Sequence, residues 1–408
     1  MRLIHTSDWH LGRTLYGRKR YHEHDAFLDW LIVTLHRQNV DVLVIAGDIF
    51  DSTAPSNRAQ ELYYRFLCRA AAVCRHVVVI AGNHDSPSFL NAPRELLKTM
   101  NVHVVGTAAT QPEDEIFVLS GRNGSPAMIV CAVPYLRDRD MRTVEAGESV
   151  ADKQQKLLDG IREHYQTVST AATRKRTELG RAIPIVALGH LFTAGGQTVT
   201  GDGVRELYVG SLAHVCADIF STAIDYLALG HLHVPQMVNG SNNRRYSGSP
   251  LAIGFGETGQ RKSVCQVDFN GRAATVELLE IPVFQKLEQV RGDWPTIEGH
   301  LMRLAQSGAP VWVEVIYDGA DLAGHLRERI DTLCAGTALD ILRIKNQRIV
   351  EQVLHPSHHT ETLDDLDAME VFERCLDAHG IEEDRRPDLI DAYREILLSL
   401  VEEDKRAD

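Results

Sequence analysis

Val42-Leu43-Val44-Ile45-Ala46-Gly47-Asp48-Ile49-Phe50-Asp51 is the stretch from which the rest of the chain can be read. It opens with five apolar residues, three of them β-branched. A run this short and this uniform predicts a strand buried on both faces, as in a parallel sheet. Gly47 then breaks the run, and two carboxylates follow at positions 48 and 51. In an open α/β sheet the C-terminal ends of the strands form the crevice where ligands bind.

The same grammar recurs on either side. Short apolar runs at 3–6, 77–81, 185–188 and 226–229 precede Asp8-Trp9-His10, Gly82-Asn83-His84-Asp85, Gly189-His190 and Gly230-His231-Leu232-His233. A further buried strand is expected at 129–133. Between these runs Phe27, Leu28, Leu31, Ile32 and Leu35 repeat at helical spacing, as do Leu62, Phe66, Leu67 and Ala70. The fold class is therefore α/β with a substantial sheet core. After Tyr246 the pattern becomes strand-rich, with runs at 264–269 and 274–281.

Five strand ends thus deliver carboxylates, imidazoles and an amide oxygen to one rim. Such donors suit manganese, iron or zinc better than copper(I) or an iron–sulfur cluster. Two such ions can activate water and neutralise a phosphoryl oxygen, which needs a carboxylate between them. Asp48 is the candidate for that bridge. Each motif alone has a plainer reading. A single D-x-H is mostly chance, Gly-Asp after a strand is often a turn, and Gly189-His190 alone suits a structural histidine. Gly-His-x-His is more specific, because residues i and i+2 of an extended segment point the same way.

Taken in order, D-x-H, G-D-x-x-D, G-N-H-D, G-H and G-H-x-H resemble the calcineurin-type metallophosphoesterase superfamily. His5-Thr6-Ser7-Asp8-Trp9-His10-Leu11-Gly12, Ala46–Asp51, Ala81–Ser86, Ala228–His233 and Tyr246-Ser247-Gly248-Ser249-Pro250 are similar to its SbcD nuclease subunits. The resemblance spans nearly the whole chain and is strongest to about residue 255. It implies a metallophosphoesterase β-sandwich core flanked by helices. It assigns Asp8, His10 and His233 to one ion, and Asn83, His190 and His231 to the other, with Asp48 bridging. His84 would stand beside the scissile phosphate as a non-ligand, and Asp51 would orient it. Manganese is the expected ion. The implied activity is exonuclease on double-stranded DNA ends and endonuclease on hairpins and single strands. The implied partner is an SbcC-like ATPase, in a heterotetramer with a nuclease dimer, acting in DNA repair and recombination.

The alternative within the superfamily is a metallophosphatase for a phosphoprotein or small phosphoester. Its serine/threonine members read G-D-x-x-D-R-G and G-N-H-E, whereas Ser52 and Asp85 stand at those positions here. A third reading, a scaffold with a degenerate site, conflicts with a ligand set that has no member missing.

Composition bounds the rest. The chain has 408 residues, 44% of them apolar, and a net charge of −13. Residues 361–408 hold 17 Asp/Glu against 6 Lys/Arg, a net of −11, so the body carries only −2. The acidity belongs to the tail and does not exclude DNA binding through a local basic loop; Arg13, Arg18, Lys19 and Arg20 are the candidates. Seven cysteines without a C-x-x-C pair fit a reduced cytoplasmic chain. No apolar run approaches the roughly 20 residues needed to span a bilayer, and the N-terminus does not read as a signal peptide.

The expected domains are a nuclease domain at 1–282, a capping, DNA-positioning α/β domain at 283–348, a linker at 349–365 and a helical partner-binding region at 366–408. Within the second, strands are expected at 284–290, 311–317 and 339–344, and helices at 297–305 and 322–333. Two amphipathic helices are expected in the tail, near 367–378 and 388–402. Asp367 and Glu370 have capping-box spacing, and Leu389, Tyr393, Ile396, Leu397 and Leu400 form one stripe.

Overall fold

The computed structural model describes residues 1–141, 149–193, 219–319 and 326–346, with positions 369, 372, 373, 376, 377, 386, 387, 389, 390 and 393. The chain divides into two compact units, Met1–Lys286 and Leu287–Asp408.

The strands of the first unit, in chain order, are β1 (Arg2–Thr6), β2 (Thr14–Leu15), β3 (Arg18–Lys19), β4 (Val42–Ala46), β5 (His76–Ile80), β6 (Val102–Val105), β7 (Ile116–Ser120), β8 (Pro126–Ala132), β9 (Ile185–His190), β10 (Tyr226–Gly230), β11 (Gln236–Val238), β12 (Ser241–Tyr246), β13 (Ser263–Asn270) and β14 (Ala273–Glu280). Two six-stranded sheets result, ordered β14-β13-β1-β4-β5-β6 and β11-β12-β10-β9-β8-β7. Strands β1, β4, β5 and β6 run parallel, as do β8, β9, β10 and β12. Antiparallel strands β13, β7 and β11 extend the sheets at their sides.

The sheets face each other. Val42, Val44, Ala46, Val78 and Ile80 of one pack with Val130, Ala132, Val186, Leu188 and Ala228 of the other. On the outer face of the first sheet, Leu43, Ile45, Val77 and Val79 meet Phe27, Leu31, Leu62 and Phe66 from the helices Tyr21–Arg37 and Asn57–Val73. The outer face of the second sheet packs on Ile161, Tyr165, Val168 and Ala172 of the helix Val150–Leu179. Strands covered on both faces need no polar alternation, which is why they read as unbroken apolar runs. Burial of each such Val, Leu or Phe contributes about 1.5–3 kcal/mol. Polar caps set the helix ends: Ser56 accepts from the Ala59 amide, and Ser149 and Asp152 form a capping box.

The second unit holds β15 (Lys286–Gly292), β16 (Val311–Tyr317) and β17 (Leu339–Asn346) in one sheet, with helices Trp294–Gln306 and Leu326–Cys334. Val290, Ile297, Leu301, Val311, Val313, Val315 and Ile330 form its core. Relative to expectation, the first strand lies two residues later, at Lys286–Gly292, and the second helix is described from Leu326. The linker at 349–365 and most of the tail lie outside the described residues. Among the described tail positions, Phe372 and Tyr393 stack with centroids 4.1 Å apart, and Leu376 is buried. No helix among the described residues is long and apolar enough to cross a membrane.

Candidate metal centre

The five motifs converge because their loops are bonded to one another. The segment after β1 is zipped along the segment after β4 by main-chain bonds: Asp8 N to Gly47 O at 3.0 Å, His10 N to Asp48 O at 3.0 Å and Leu11 N to Ile49 O at 2.9 Å. The Asp85 carboxylate holds the segment after β5. It accepts from the amides of Gly82, Ile49 and Phe50 at 2.8, 3.1 and 3.0 Å. The His231 amide donates to Asp8 Oδ1 at 2.9 Å. His190 and Gly230 are the last residues of their strands rather than loop residues, so the sheet itself aims His190 inward.

Tight loops at this rim demand unusual backbone. Asp8, His10, Asp48 and His231 all have positive φ, at 55°, 47°, 50° and 103°. Such values cost a non-glycine residue of order 1 kcal/mol or more and persist only where the surroundings enforce them. The glycines beside them serve a steric need. A Cβ on Gly47, which has φ +88°, would collide with the His190 ring, and one on Gly82 would enter the Asp48 carboxylate.

The donor atoms form two outer groups about one carboxylate, and His84 makes a third group with His10 and that same carboxylate, Asp48. In the first, Asp8, His10 and His233 are buried and bring ligand atoms within 4.8 Å of one another; His10 Nε2 and His233 Nε2 are 3.2 Å apart. Nitrogens bound to one ion at about 2.1 Å and at angles of about 90–110° lie about 3.0–3.4 Å apart. In the second, Asn83 Oδ1 lies 3.0 Å from both His190 Nε2 and His231 Nδ1. Asp48 Oδ2 stands between the groups, 3.6 Å from His10 Nε2 and 3.4 Å from His190 Nε2. His190 Nδ1 must donate to Ala46 O at 2.8 Å, which leaves Nε2 facing the centre. This donor set fits two divalent ions.

Electrostatics agree. Burial pushes the Asp8 carboxyl up to about 7, with Asp48 adding to the effect and His190 opposing it. Burial alone would lower His190, but Asp48 and Asp8 outweigh it and hold the imidazole up at about 9. Burial and the neighbouring His190 push His231 down to about 3. Asp8 and His190 thus hold protons that a bound cation would displace, while the surrounding histidines, against the effect of burial, keep Asp48 ionised, so ion binding releases protons.

His84 stands at the edge of this centre, its ring 4.9 Å from that of His10. Its amide donates to Asp48 Oδ1 at 2.9 Å, and its Nδ1 donates to a carbonyl, Asp51 O, at 2.8 Å. Asp51 thus contacts His84 as expected, but through its main chain. The main chain of residue 51 orients His84; the Asp51 carboxylate points elsewhere, 3.4 Å from His10 Nδ1 and 3.0 Å from an Arg13 guanidinium nitrogen. Burial opposes its ionisation, yet His10 and Arg13 hold the carboxyl down at about 2. It is placed to orient His10.

The basic loop also separates into parts. Arg20 is 2% exposed, forms a bidentate pair with Glu23 at 2.8 and 2.6 Å and donates to Ala252 O. It is a structural residue, not the DNA contact expected. Arg13 is half-buried against Asp51 and Ile253 O. Arg18 and Lys19 are exposed on the β2–β3 hairpin.

Sequence reasoning placed Asp85 in a motif without giving it this role, and it did not single out Ser7, Glu257 or Lys262. Ser7 Oγ donates to Asp8 Oδ2 at 2.5 Å, and the buried Lys262–Glu257 pair lies behind His233. Asp85 belongs to a recognised motif and Ser7 adjoins one; nothing local marks Glu257 or Lys262.

Comparisons with known proteins give the family. Residues 1–235 match the calcineurin-like phosphoesterase family, and residues 283–380 match the family described as the type 5 capsule protein repressor C-terminal domain. The chain is 36% identical over 406 residues to the SbcD subunit of nuclease SbcCD from Escherichia coli K12, covering 99% of each. The protein of the same name from Bacillus subtilis is 36% identical over 66% of each chain, and the one from Rhodobacter capsulatus 32% over 76% of this chain and 77% of its own. A solved β-glucosidase from Exiguobacterium antarcticum aligns with a TM-score of only 0.20 at 12% identity, covering 80% of this chain and 77% of its own.

Proposed function

This chain belongs to the calcineurin-like phosphoesterases and, among them, to the SbcD nuclease subunits, and on that premise we propose that it cuts DNA phosphodiester bonds at a two-ion centre on the rim of its sandwich. It is a metal-dependent nuclease subunit. The observation that carries the two-ion reading is the position of Asp48 Oδ2 between the His10 and His190 nitrogens. In this reading Asp8, His10 and His233 hold one ion, Asn83, His190 and His231 the other, and Asp48 both.

When bound, the ions, manganese in this proposal, supply Lewis acidity toward the phosphoryl oxygens and make water a stronger acid. The chain's own residues do the rest. With Nδ1 committed to Asp51 O, His84 offers Nε2 to the substrate. As an imidazolium it donates that proton to the departing oxygen, or stabilises charge on the phosphate. Asp48 fixes the His84 amide and so couples this ring to the centre. Arg18 and Lys19, with the exposed part of Arg13, meet the DNA backbone. The phosphatase reading lacks support at residue 52, where serine leaves no guanidinium for a phosphate.

The substrates proposed are double-stranded ends, hairpins and single strands, in the cytoplasm, with an SbcC-like ATPase. The proposed assembly is a heterotetramer with a nuclease dimer. The proposed domains are those set out above, with 283–348 positioning DNA and 366–408 docking on the ATPase. Support for the docking is the apolar stripe on which Leu389 stays exposed, although Tyr393 of the same stripe is stacked on Phe372. Removal of the chain after residue 360 is expected to leave a folded, metal-binding protein that no longer co-purifies with the ATPase; unchanged partner affinity contradicts the assignment. The activity is tested with an end-labelled hairpin duplex and manganese, with and without the ATPase. Strand cleavage supports the reading. Phosphate release from a monoester with no strand cleavage, in either condition, overturns it.

A further inference from the structure

The two proposed ion positions are supported differently. Behind His190 lies main chain, with Ala46 O bonded to its Nδ1, and the ligand Asn83 itself touches the His190 and His231 rings through its Oδ1. Behind Asp8, His10 and His233 lie side chains. The Asp51 carboxylate faces His10. Ser7 Oγ bonds Asp8 Oδ2 and is itself bonded to Ser247 Oγ at 2.8 Å. Behind His233 stands a buried polar cluster. Lys262 Nζ donates to His233 O at 3.0 Å, to Ser249 Oγ at 3.1 Å and to Gln260 Oε1 at 3.1 Å, and pairs with the Glu257 carboxylate. Glu257 Oε1 lies 3.8 Å from His233 Nδ1, and its other oxygen accepts from the Ile253 amide at 3.1 Å. The Ser249 amide also donates to His233 O at 3.1 Å.

Lys262 and Glu257 are both almost wholly buried. A buried ion pair is weak evidence for stability, because desolvation offsets most of its attraction. This one sits where its geometry fixes a ligand. Lys262 and Ser249 anchor the His233 carbonyl, and Glu257 faces the ring nitrogen on the side away from the centre. The Ser247-Gly248-Ser249 turn joins the two supports: Ser247 bonds Ser7, which holds Asp8, and Ser249 bonds the His233 carbonyl. Gly248 has φ +74°, and a Cβ there would press on His233 O.

We propose that Glu257, Lys262 and the Ser247-Gly248-Ser249 turn are a positioning scaffold for one ion position only, that of Asp8, His10 and His233. The scaffold makes that position separately tunable: its ion is weakened by changes that leave the other ion in place. Outer partners of this kind typically change metal affinity by about 10–100-fold.

The inference rests on the two-ion reading, and calorimetric titration of the full chain with manganese separates the two. Wild type is expected to bind two ions. Ser249→Ala and Glu257→Gln are expected to weaken one ion by about 10–100-fold and leave the other within about twofold. Cleavage should then recover when manganese is raised in proportion. Because Glu257→Gln leaves Lys262 buried without its carboxylate, the double variant Glu257→Gln/Lys262→Met, which removes both charges, is measured beside it. Two ions in wild type, with both weakened equally or neither weakened in the variants, overturn the scaffold alone. One ion in wild type overturns the two-ion reading and the scaffold with it.

Discussion

The units Met1–Lys286 and Leu287–Asp408 are built by the same rules, yet among the described residues the candidate metal-ligand groups all lie in the first. Each packs apolar strands against capped amphipathic helices. In the second, the buried charge of Glu314 is met by Gln289 at 2.7 Å, Lys345 at 3.1 Å and Arg343 at 3.7 Å, and no non-glycine residue has positive φ among the described residues. In the first, four of seven proposed ligands have positive φ, and buried carboxylates crowd together. Regular packing builds both units; a site arises where strand ends break those rules and the surrounding sheet enforces the break. The first unit should therefore fail by chemistry and the second by folding.

Asp48→Asn tests this most severely. A neutral amide between two ions should weaken both and abolish cleavage, and more than a tenth of wild-type activity at saturating manganese would contradict the bridge. His84→Ala should lower cleavage by about 10²–10⁴-fold with metal content unchanged. Loss of one ion in that variant, read by metal analysis, would make His84 a ligand instead. Leu301→Ala, in the core of the second unit, should cost about 2–5 kcal/mol in denaturant unfolding of that unit. Manganese affinity should stay the same; a parallel loss of ions would erase the contrast between the units. Asp51→Asn should be the mildest, about a tenfold loss of affinity through misorientation of His10. Because Asp51 O remains, the metal-saturated cleavage rate should hold, and a defect of the His84→Ala size would return Asp51 to the role first expected of it.

The strands were legible in the sequence because burial on both faces leaves an unbroken apolar run, as at Val42–Ala46. The site was legible as five strand-end motifs, and the structure gathers all seven proposed ligands and His84 at one rim. What spacing does not carry is which atom of a residue makes a contact. Asp51 is close to His84, but through its carbonyl, and His231 presents Nδ1 where His190 presents Nε2. Arg20 looked like part of a basic loop because charge is read along the chain; Glu23, three residues on, captures it in space. Glu257 and Lys262 escaped for a similar reason. They reach His233 from 24 and 29 positions away, and no local pattern marks such a meeting.

The left-handed backbone at Asp8, His10, Asp48 and His231 has a consequence for transplantation. A peptide copying residues 5–12 would carry Asp8 and His10 at the same spacing, but not the bonds to Gly47 and Asp48 that hold their backbone. Free in water it would relax to ordinary extended or helical conformations and scatter its donors. The motif is therefore not portable as a string of letters. A designer who wished to move this centre to another protein would have to move the ends of two neighbouring parallel strands together, with the glycines that let them touch.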